Sequence, residues 1–511
     1  MTPRLHHLQA VEQPQIEELV ARDAYVVPAP AIDRKASDAA LRPRQRLQLL
    51  CDEGSLHVLR SSAASESMGD KAQPGDGVVG ASGTVAGRPI YCFAQDVSFA
   101  GGSVGAAHAE TIVRIQRLAG RARVPVIGFV ESGGARMQEG LAALGGYARI
   151  FSEHVSLSGV VPQISVITGT SAGGGCYSPA LTDFVIMTEA SSMFLTGPAV
   201  VREVTGQLTS TRDLGGTPVH ARNGVSQFAV QSDVDAILLV RQLLGYLPQD
   251  ACSAPPQSRA VEPEGPDPGG VVPLDPRRPY DVRTALLGII DGGSLLELSP
   301  KWARNIVTAF GRIQGRPVGI VANQPKFLGG VIDSDASQKG ARFVRTCNAF
   351  GIPLVVLVDT PGFLPGVEQE AIGVIRHGAK LLHAFAEATV PRYTVVLRKA
   401  FGGAYITMNS KHLGADLTLA WSRAELGIMG AEQAVGIVNR REIEQADDQA
   451  AVRERLASDY ANRHLGAEAA ARAGHIDDVI RPGETRERLA LALAMSGSER
   501  GARGRAGNIP L

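Results

Sequence analysis

Short, unbroken apolar runs alternate along this chain with glycine-bearing breaks and stretches of helical periodicity. Val124-Pro125-Val126-Ile127-Gly128-Phe129-Val130 is one such run, ended by Glu131-Ser132-Gly133-Gly134. Leu141, Leu144, Tyr147, Ala148 and Phe151 follow at the spacing of one helix face. Ile164-Ser165-Val166-Ile167-Thr168 is a second run, and it gives way to Gly169-Thr170-Ser171-Ala172-Gly173-Gly174-Gly175. The rhythm returns with strands predicted at Leu354–Val358 and Tyr393–Leu397. Buried strands alternating with helices predict an α/β fold. The longest aliphatic runs, such as residues 352–358, have strand length and fall far short of a bilayer span.

The two stretches with this rhythm read as copies. With an offset of 228 residues, Gly87-Arg88-Pro89 meets Gly315-Arg316-Pro317, and Phe99-Ala100-Gly101-Gly102 meets Phe327-Leu328-Gly329-Gly330. Ten of the 26 pairs from Val78/Ile306 to Ser103/Val331 are identical, against about two for ordinary composition. The register continues through Arg114/Arg342 and Glu131/Asp359. It then slips by one residue, pairing Gly173-Gly174 with Gly402-Gly403. A period this long implies a duplicated domain rather than a solenoid.

Two polar stretches read as linkers. Residues 61–77 are small and polar, and residues 251–280 carry eight of the 30 prolines. The expected division is a first domain over 1–255, a proline-rich linker over 256–280 and a second domain over 281–511. A length of 511 residues accommodates two such domains and excludes a single small binding module. Lys+Arg and Asp+Glu balance at 51 each, so no global field draws the chain to nucleic acid or to an anionic membrane. Five scattered cysteines with no CxxC pair argue against a disulfide framework or a zinc ribbon. The first residues lack the apolar core of a signal peptide, so a cytoplasmic location is expected.

The candidate chemistry lies in the glycine clusters at the strand-to-helix turns. Helix starts offer N–H groups without intrahelical partners, and glycine lets a ligand oxygen come close to the backbone. Donors fixed there suit an oxyanion that develops on a carbonyl. Both halves carry such a turn, at Ala172-Gly173-Gly174-Gly175 and at Phe401-Gly402-Gly403-Ala404. Gly169-Thr170-Ser171-Ala172-Gly173 also matches G-x-S-x-G, which makes Ser171 a rival candidate as a hydrolase nucleophile. The repeat disfavours it, because Ser171 pairs with Ala400 while glycines pair with glycines. Ser132-Gly133-Gly134-Ala135-Arg136 is either an anion-binding loop or a tight turn. Arg398-Lys399 reads as a solvated or oligomer-facing turn. The 11 histidines show no metal-ligand spacing, and no Walker or dinucleotide motif occurs.

Longer motifs carry a family likeness. Residues 131–140 (ESGGARMQEG), 172–184 (AGGGCYSPALTDF) and 193–198 (MFLTGP) resemble the first half of the carboxyltransferase (β) subunit of acyl-CoA carboxylases. Residues 358–363 (VDTPGF), 399–405 (KAFGGAY), 410–416 (SKHLGAD) and the terminal Gly507-Asn508-Ile509-Pro510-Leu511 resemble its second half. The resemblance implies two tandem crotonase-like domains, with the acyl-CoA side in the first and the carboxybiotin side in the second. It implies that Gly173 and Gly174 amides hold the thioester oxygen, and that Gly403 and Ala404 amides hold the ureido oxygen, with Gly402 in the same biotin-binding turn. Ser132, Gly133, Gly134, Ala135, Arg136 and Ile406 become substrate-binding candidates, Ile406 lining the acyl pocket as in relatives using acetyl-CoA or a broader range. Gly175-Cys176 departs from the family's common Ala-Val. No biotinyl-lysine motif occurs, so biotin is expected on a separate biotin carboxylase/biotin carrier (α) partner. No metal is expected. A hexamer built from dimers with shared active sites is implied, and a small accessory subunit is a further candidate partner. A decarboxylase subunit working in reverse is the alternative enzyme; a non-catalytic scaffold would have broken glycine turns.

Overall fold

The computed structural model describes residues 40–496; the Gly507–Leu511 motif and the first 39 residues lie outside that range. Two eight-stranded sheets repeat one topology. The first contains β1 (His57–Leu59), β2 (Val78–Val85), β3 (Arg88–Gln95), β4 (Val126–Ser132), β5 (Gln163–Ala172), β6 (Phe184–Thr188), β7 (Ser192–Phe194) and β8 (Phe228–Val230). The second contains β9 (Leu296–Leu298), β10 (Ile306–Ile313), β11 (Arg316–Asn323), β12 (Leu354–Thr360), β13 (Arg392–Phe401), β14 (Leu417–Trp421), β15 (Glu425–Gly427) and β16 (Asp478–Ile480). The first sheet runs β1-β2-β3-β4-β5-β6-β8 with β7 on β5, and the second runs β9-β10-β11-β12-β13-β14-β16 with β15 on β13. Every strand therefore has its counterpart eight positions later, the structural form of the repeat seen in sequence.

Local chemistry repeats as well. The β2–β3 and β10–β11 hairpins are antiparallel and turn at Ala86-Gly87 and Gln314-Gly315, all four with positive φ. Two consecutive positive-φ residues make a turn whose twist matches the strands it joins. That requirement accounts for the repeated glycine of the Gly-Arg-Pro triplets.

Side-chain alternation along the central strands separates two faces. On β4, Val126 and Val130 face a cluster containing Ile112, Val113 and Ile115 of α1 (Ala106–Ala122) and Ile150 of α2 (Leu141–Leu157). Ile127 and Phe129 face the opposite way, into a core shared with the second domain. On β12, Leu354, Val356 and Val358 enter that shared core, and Val355 and Leu357 face the outer cluster. Helices α4 (Ser334–Ala349) and α5 (Val374–Glu387) contribute Phe343 and Phe385 to the shared core. At the junction Phe310 stacks on Tyr246 with centroids 5.6 Å apart and meets Phe184 edge-on at 6.1 Å.

Residues 61–77 are not a linker. They form a turn of 3-10 helix (Glu66–Lys71), and Asp76 is fully buried within the first domain. Residues 256–280 are largely irregular yet packed. Ser258 donates its amide to Gly315, Gly265 to Leu287, and Arg398 donates to the carbonyls of Asp275 and Arg278. This stretch is a strap along the second domain.

Candidate active site

In both domains the strand that leads to the glycine cluster ends in the same backbone bend. Strand β5 passes into α3 (Gly174–Ala180) through Gly173, at φ +57°. Strand β13 passes into α6 (Gly402–Thr407), whose first residue, Gly402, has φ +60°. This region of backbone space favours glycine, so the pairing of Gly173 with Gly402 has a steric cause.

The bend turns the next two amides out of the strand ladder. Gly174 and Gly175 occupy the start of α3, and Gly403 and Ala404 the matching positions in α6, where no intrahelical acceptor exists. Among the described residues no turn, loop or side-chain oxygen takes any of these four N–H groups. The Gly173 amide differs: it donates to the Phe194 carbonyl at 3.1 Å. Of the expected Gly173–Gly174 pair, only the Gly174 amide is thus left without such an acceptor; with Gly175 it forms the pair that matches Gly403–Ala404 at the slipped offset. The signal lay in the repeat register, because Gly175 aligns with Ala404.

An aromatic ring floors each turn. A Cβ on Gly174 would lie 2.8 Å from the Tyr147 ring, which leaves no room for a side chain there. Among the described residues a Cβ on Gly403 would meet only Phe363, at 3.8 Å. Gly403 is exposed and Ala404 is buried. Ile406 stands on the same short helix with 48% of its surface exposed. From the sequence Tyr147 reads only as part of a helix face and Phe363 only as the end of a motif, since each is brought to its glycine by the fold.

The Ser132–Arg136 stretch, expected either as an anion-binding loop or as a tight turn, keeps its two polar side chains inside. Ser132 is fully buried; its hydroxyl donates to the Gly102 carbonyl at 2.8 Å and accepts from the Gly134 amide. Gly133 donates its amide to Gly101, and Ala135 forms a bridge with Val104. Arg136 is fully buried, paired with Asp76 at 2.6 Å and with Glu139 at 2.9 Å. Ser132 and Arg136 thus brace the loop from inside, and the backbone of Gly133 is what remains exposed.

Ser171 is not a nucleophile in this fold. It has no exposed surface, and its hydroxyl donates to the Gly175 carbonyl at 2.8 Å. Its role is to tie the end of β5 to the first turn of α3. Arg398 is likewise no solvated turn: it is buried and paired with Asp359 at 3.0 Å. The equivalent acid, Glu131, is neutralised by Arg46 at 3.2 Å, from a different element. Among the described residues no group of three or more His, Cys, Asp or Glu side chains is placed to hold a metal, and no helix is long and apolar enough to cross a membrane.

The model of the carboxyl transferase domain family matches residues 36–505. The chain belongs to this family. Among relatives of this carboxyltransferase is the propionyl-CoA carboxylase carboxyltransferase subunit of Haloferax mediterranei, 44% identical over 97% of this chain and 99% of that one. The propionyl-CoA carboxylase beta chain of Saccharopolyspora erythraea is 46% identical over 94% of this chain and 92% of its own. A crystal structure of the transcarboxylase 12S hexamer, with methylmalonyl-coenzyme A and methylmalonic acid bound, superposes with a TM-score of 0.88. It shares 42% identity and covers 98% of each chain. The carboxyltransferase is thus built of two tandem crotonase-like α/β domains.

Proposed function

We infer that the chain is the carboxyltransferase (β) component of a biotin-dependent acyl-CoA carboxylase. It moves a carboxyl group from carboxybiotin, borne by a separate carrier chain, to the α-carbon of a short-chain acyl-CoA. The observation that carries this reading is the pair of matching bends, each presenting two backbone amides without an acceptor among the described residues. A reaction with two carbonyl oxygens that gain negative charge needs two such sites, and no side-chain base.

On this reading the Gly174 and Gly175 amides hold the thioester oxygen as it becomes an enolate oxygen. The Gly403 and Ala404 amides hold the ureido oxygen of biotin. On the same reading the ureido ring lies over Gly403, beside Phe363. Carboxybiotin held there by the carrier would supply the CO2 and, once free of it, a ureido nitrogen basic enough for the α-proton, so that the acyl α-carbon could bond to CO2. Gly133 offers backbone to the acyl-CoA on one side and Ile406 apolar surface to the acyl chain on the other. Apolar contacts of this size discriminate one methylene by about 1–3 kcal/mol. The carboxylase names of the Haloferax and Saccharopolyspora relatives favour the forward direction over a decarboxylase. The likeness to a hexameric transcarboxylase core supports a hexamer; on this reading its sites combine domains of two subunits.

The test mixes the purified protein with a biotin carboxylase/carrier partner, ATP, bicarbonate and acetyl-, propionyl- or butyryl-CoA. Carboxylated acyl-CoA is the expected product. No product with any acyl-CoA, while the carrier is demonstrably carboxylated, overturns the proposal.

A further inference from the structure

Helix α3 has seven residues and carries Pro179 within it. A helix this short does not hold itself by its own backbone bonds, yet it must fix the Gly174 and Gly175 amides. Its far end is held by a buried chain of side chains. The Ser178 hydroxyl lies 2.8 Å from Nε2 of His154, on α2, and Nδ1 of His154 lies 2.7 Å from Oε1 of Gln163, on β5. Gln163 donates its Nε2 to the His154 carbonyl at 3.0 Å, which leaves its Oε1 facing Nδ1 as an acceptor. The Nδ1 atom therefore carries the proton, and Nε2 accepts from Ser178. Burial lowers the His154 pKa to about 4, so the imidazole stays neutral and Nε2 stays an acceptor at ordinary pH. Ser178, His154 and Gln163 are all buried. This serine–histidine–glutamine series has the connectivity of a catalytic triad, with no access for a substrate.

Helix α2 also carries Tyr147, which floors Gly174 and lies 3.1 Å from the Ser132 hydroxyl. Both ends of α3 thus rest on α2. The second domain lacks the device. At the one-residue-slipped offset His154 matches His383, whose side chain is 68% exposed, and Ser178 matches Thr407, whose hydroxyl donates to the Gly403 carbonyl of its own helix at 2.9 Å.

We propose that His154 is a positioning residue for the acyl side alone, holding the Gly174–Gly175 amides in place through the Ser178 hydroxyl. This rests on the function proposed above. An amide pair that strengthens its grip as charge develops acts on kcat more than on KM.

The variants are Ser178→Ala, His154→Leu and His154→Gln, in the full chain with a carboxybiotin-loaded carrier. Ser178→Ala and His154→Leu are expected to lower kcat for carboxyl transfer at least tenfold, with KM for acyl-CoA changed less than threefold. His154→Gln, which can accept from Ser178 and donate to Gln163, restores most of it. Breakdown of carboxybiotin without acyl-CoA, which reads the other turn, stays at the wild-type rate. Hydrogen exchange gives a readout independent of activity: amides in 172–180 exchange faster in Ser178→Ala and His154→Leu, while those in 401–409 do not change. Wild-type kinetics and exchange in these two variants would overturn the proposal, as would equal losses in both half-reactions or exchange that quickens in both segments. An inactive wild type bears on the proposed function instead, and the exchange data still decide the role of His154.

Discussion

Gly173 and Gly402 hold nearly the same positive φ, and that single requirement made the site legible from the repeat: only glycine takes the bend readily, so glycine met glycine across 229 residues. Side-chain direction was not legible. Residues 132–136 read either as an anion-binding loop or as a tight turn; Ser132 and Arg136 both point inward, and nothing in the local pattern distinguishes the two orientations. The partner that draws Arg136 inward, Asp76, lies 60 residues upstream, in a stretch that composition marked as a linker. Ser171 illustrates the same limit, since a motif fixes spacing and not access. Ser171→Ala removes one buried hydrogen bond, at a cost of about 1 kcal/mol. It is expected to leave transfer within a few-fold of wild type, and a fluorophosphonate probe should not label the unaltered protein. Labelling that disappears in Ser171→Ala would contradict this assignment.

Strands were the easiest elements to place, because continuous apolar runs and their glycine stops mark buried strands directly; β5 and β13 extend the expected runs by several residues into the bends. Helix α2 shows what periodicity misses. Its face of buried residues contains Ala143, Gly146, Tyr147, Ile150 and His154, whereas Leu141 and Leu144 of the expected apolar stripe are exposed. A polar residue inside that buried face has a consequence for pH. His154 is held neutral with a pKa of about 4 by burial. His108, on α1, is held to about 3, chiefly by burial and then by the Arg136 charge. In the unfolded chain both protonate near 6.5. As pH falls through 6.5 the unfolded chain gains these protons and the folded one does not, so stability is lost at up to about 1.4 kcal/mol per pH unit per group until the folded pKa is reached. Melting temperature is expected to drop between pH 7 and pH 5, and to drop less steeply in His154→Gln. Equal slopes would show that His154 is not buried in its neutral form.

The whole molecule is a duplication folded upon itself, with Phe184, Tyr246 and Phe310 joining the halves across a shared core. It still leaves large apolar side chains in the open. Met137, Leu141 and Leu144 lie in and just before the start of α2, and Val367, Ile372 and Ile375 lie in and just before the start of α5. Each domain thus exposes an apolar shelf, beside α2 in the first and beside α5 in the second, where a hexamer with shared sites would bury it. Leu141→Glu, at a position 84% exposed in the single chain, is expected to leave the fold intact and to shift a hexamer to smaller species by light scattering. An unchanged hexamer would remove this shelf from the interface.

The proposed catalysis depends on backbone amides, and Gly403 allows them to be tested apart from side-chain space. A Cβ there meets nothing closer than Phe363 at 3.8 Å, so Gly403→Ala keeps both the turn and the N–H, whereas Gly403→Pro removes the N–H. The deciding measurement is kcat for carboxyl transfer in these two variants, side by side. The expected result is a loss of about 10²-fold or more in Gly403→Pro, the usual effect of deleting one oxyanion donor, with Gly403→Ala within a few-fold of wild type. A folded Gly403→Pro that transfers as fast as Gly403→Ala would contradict the account.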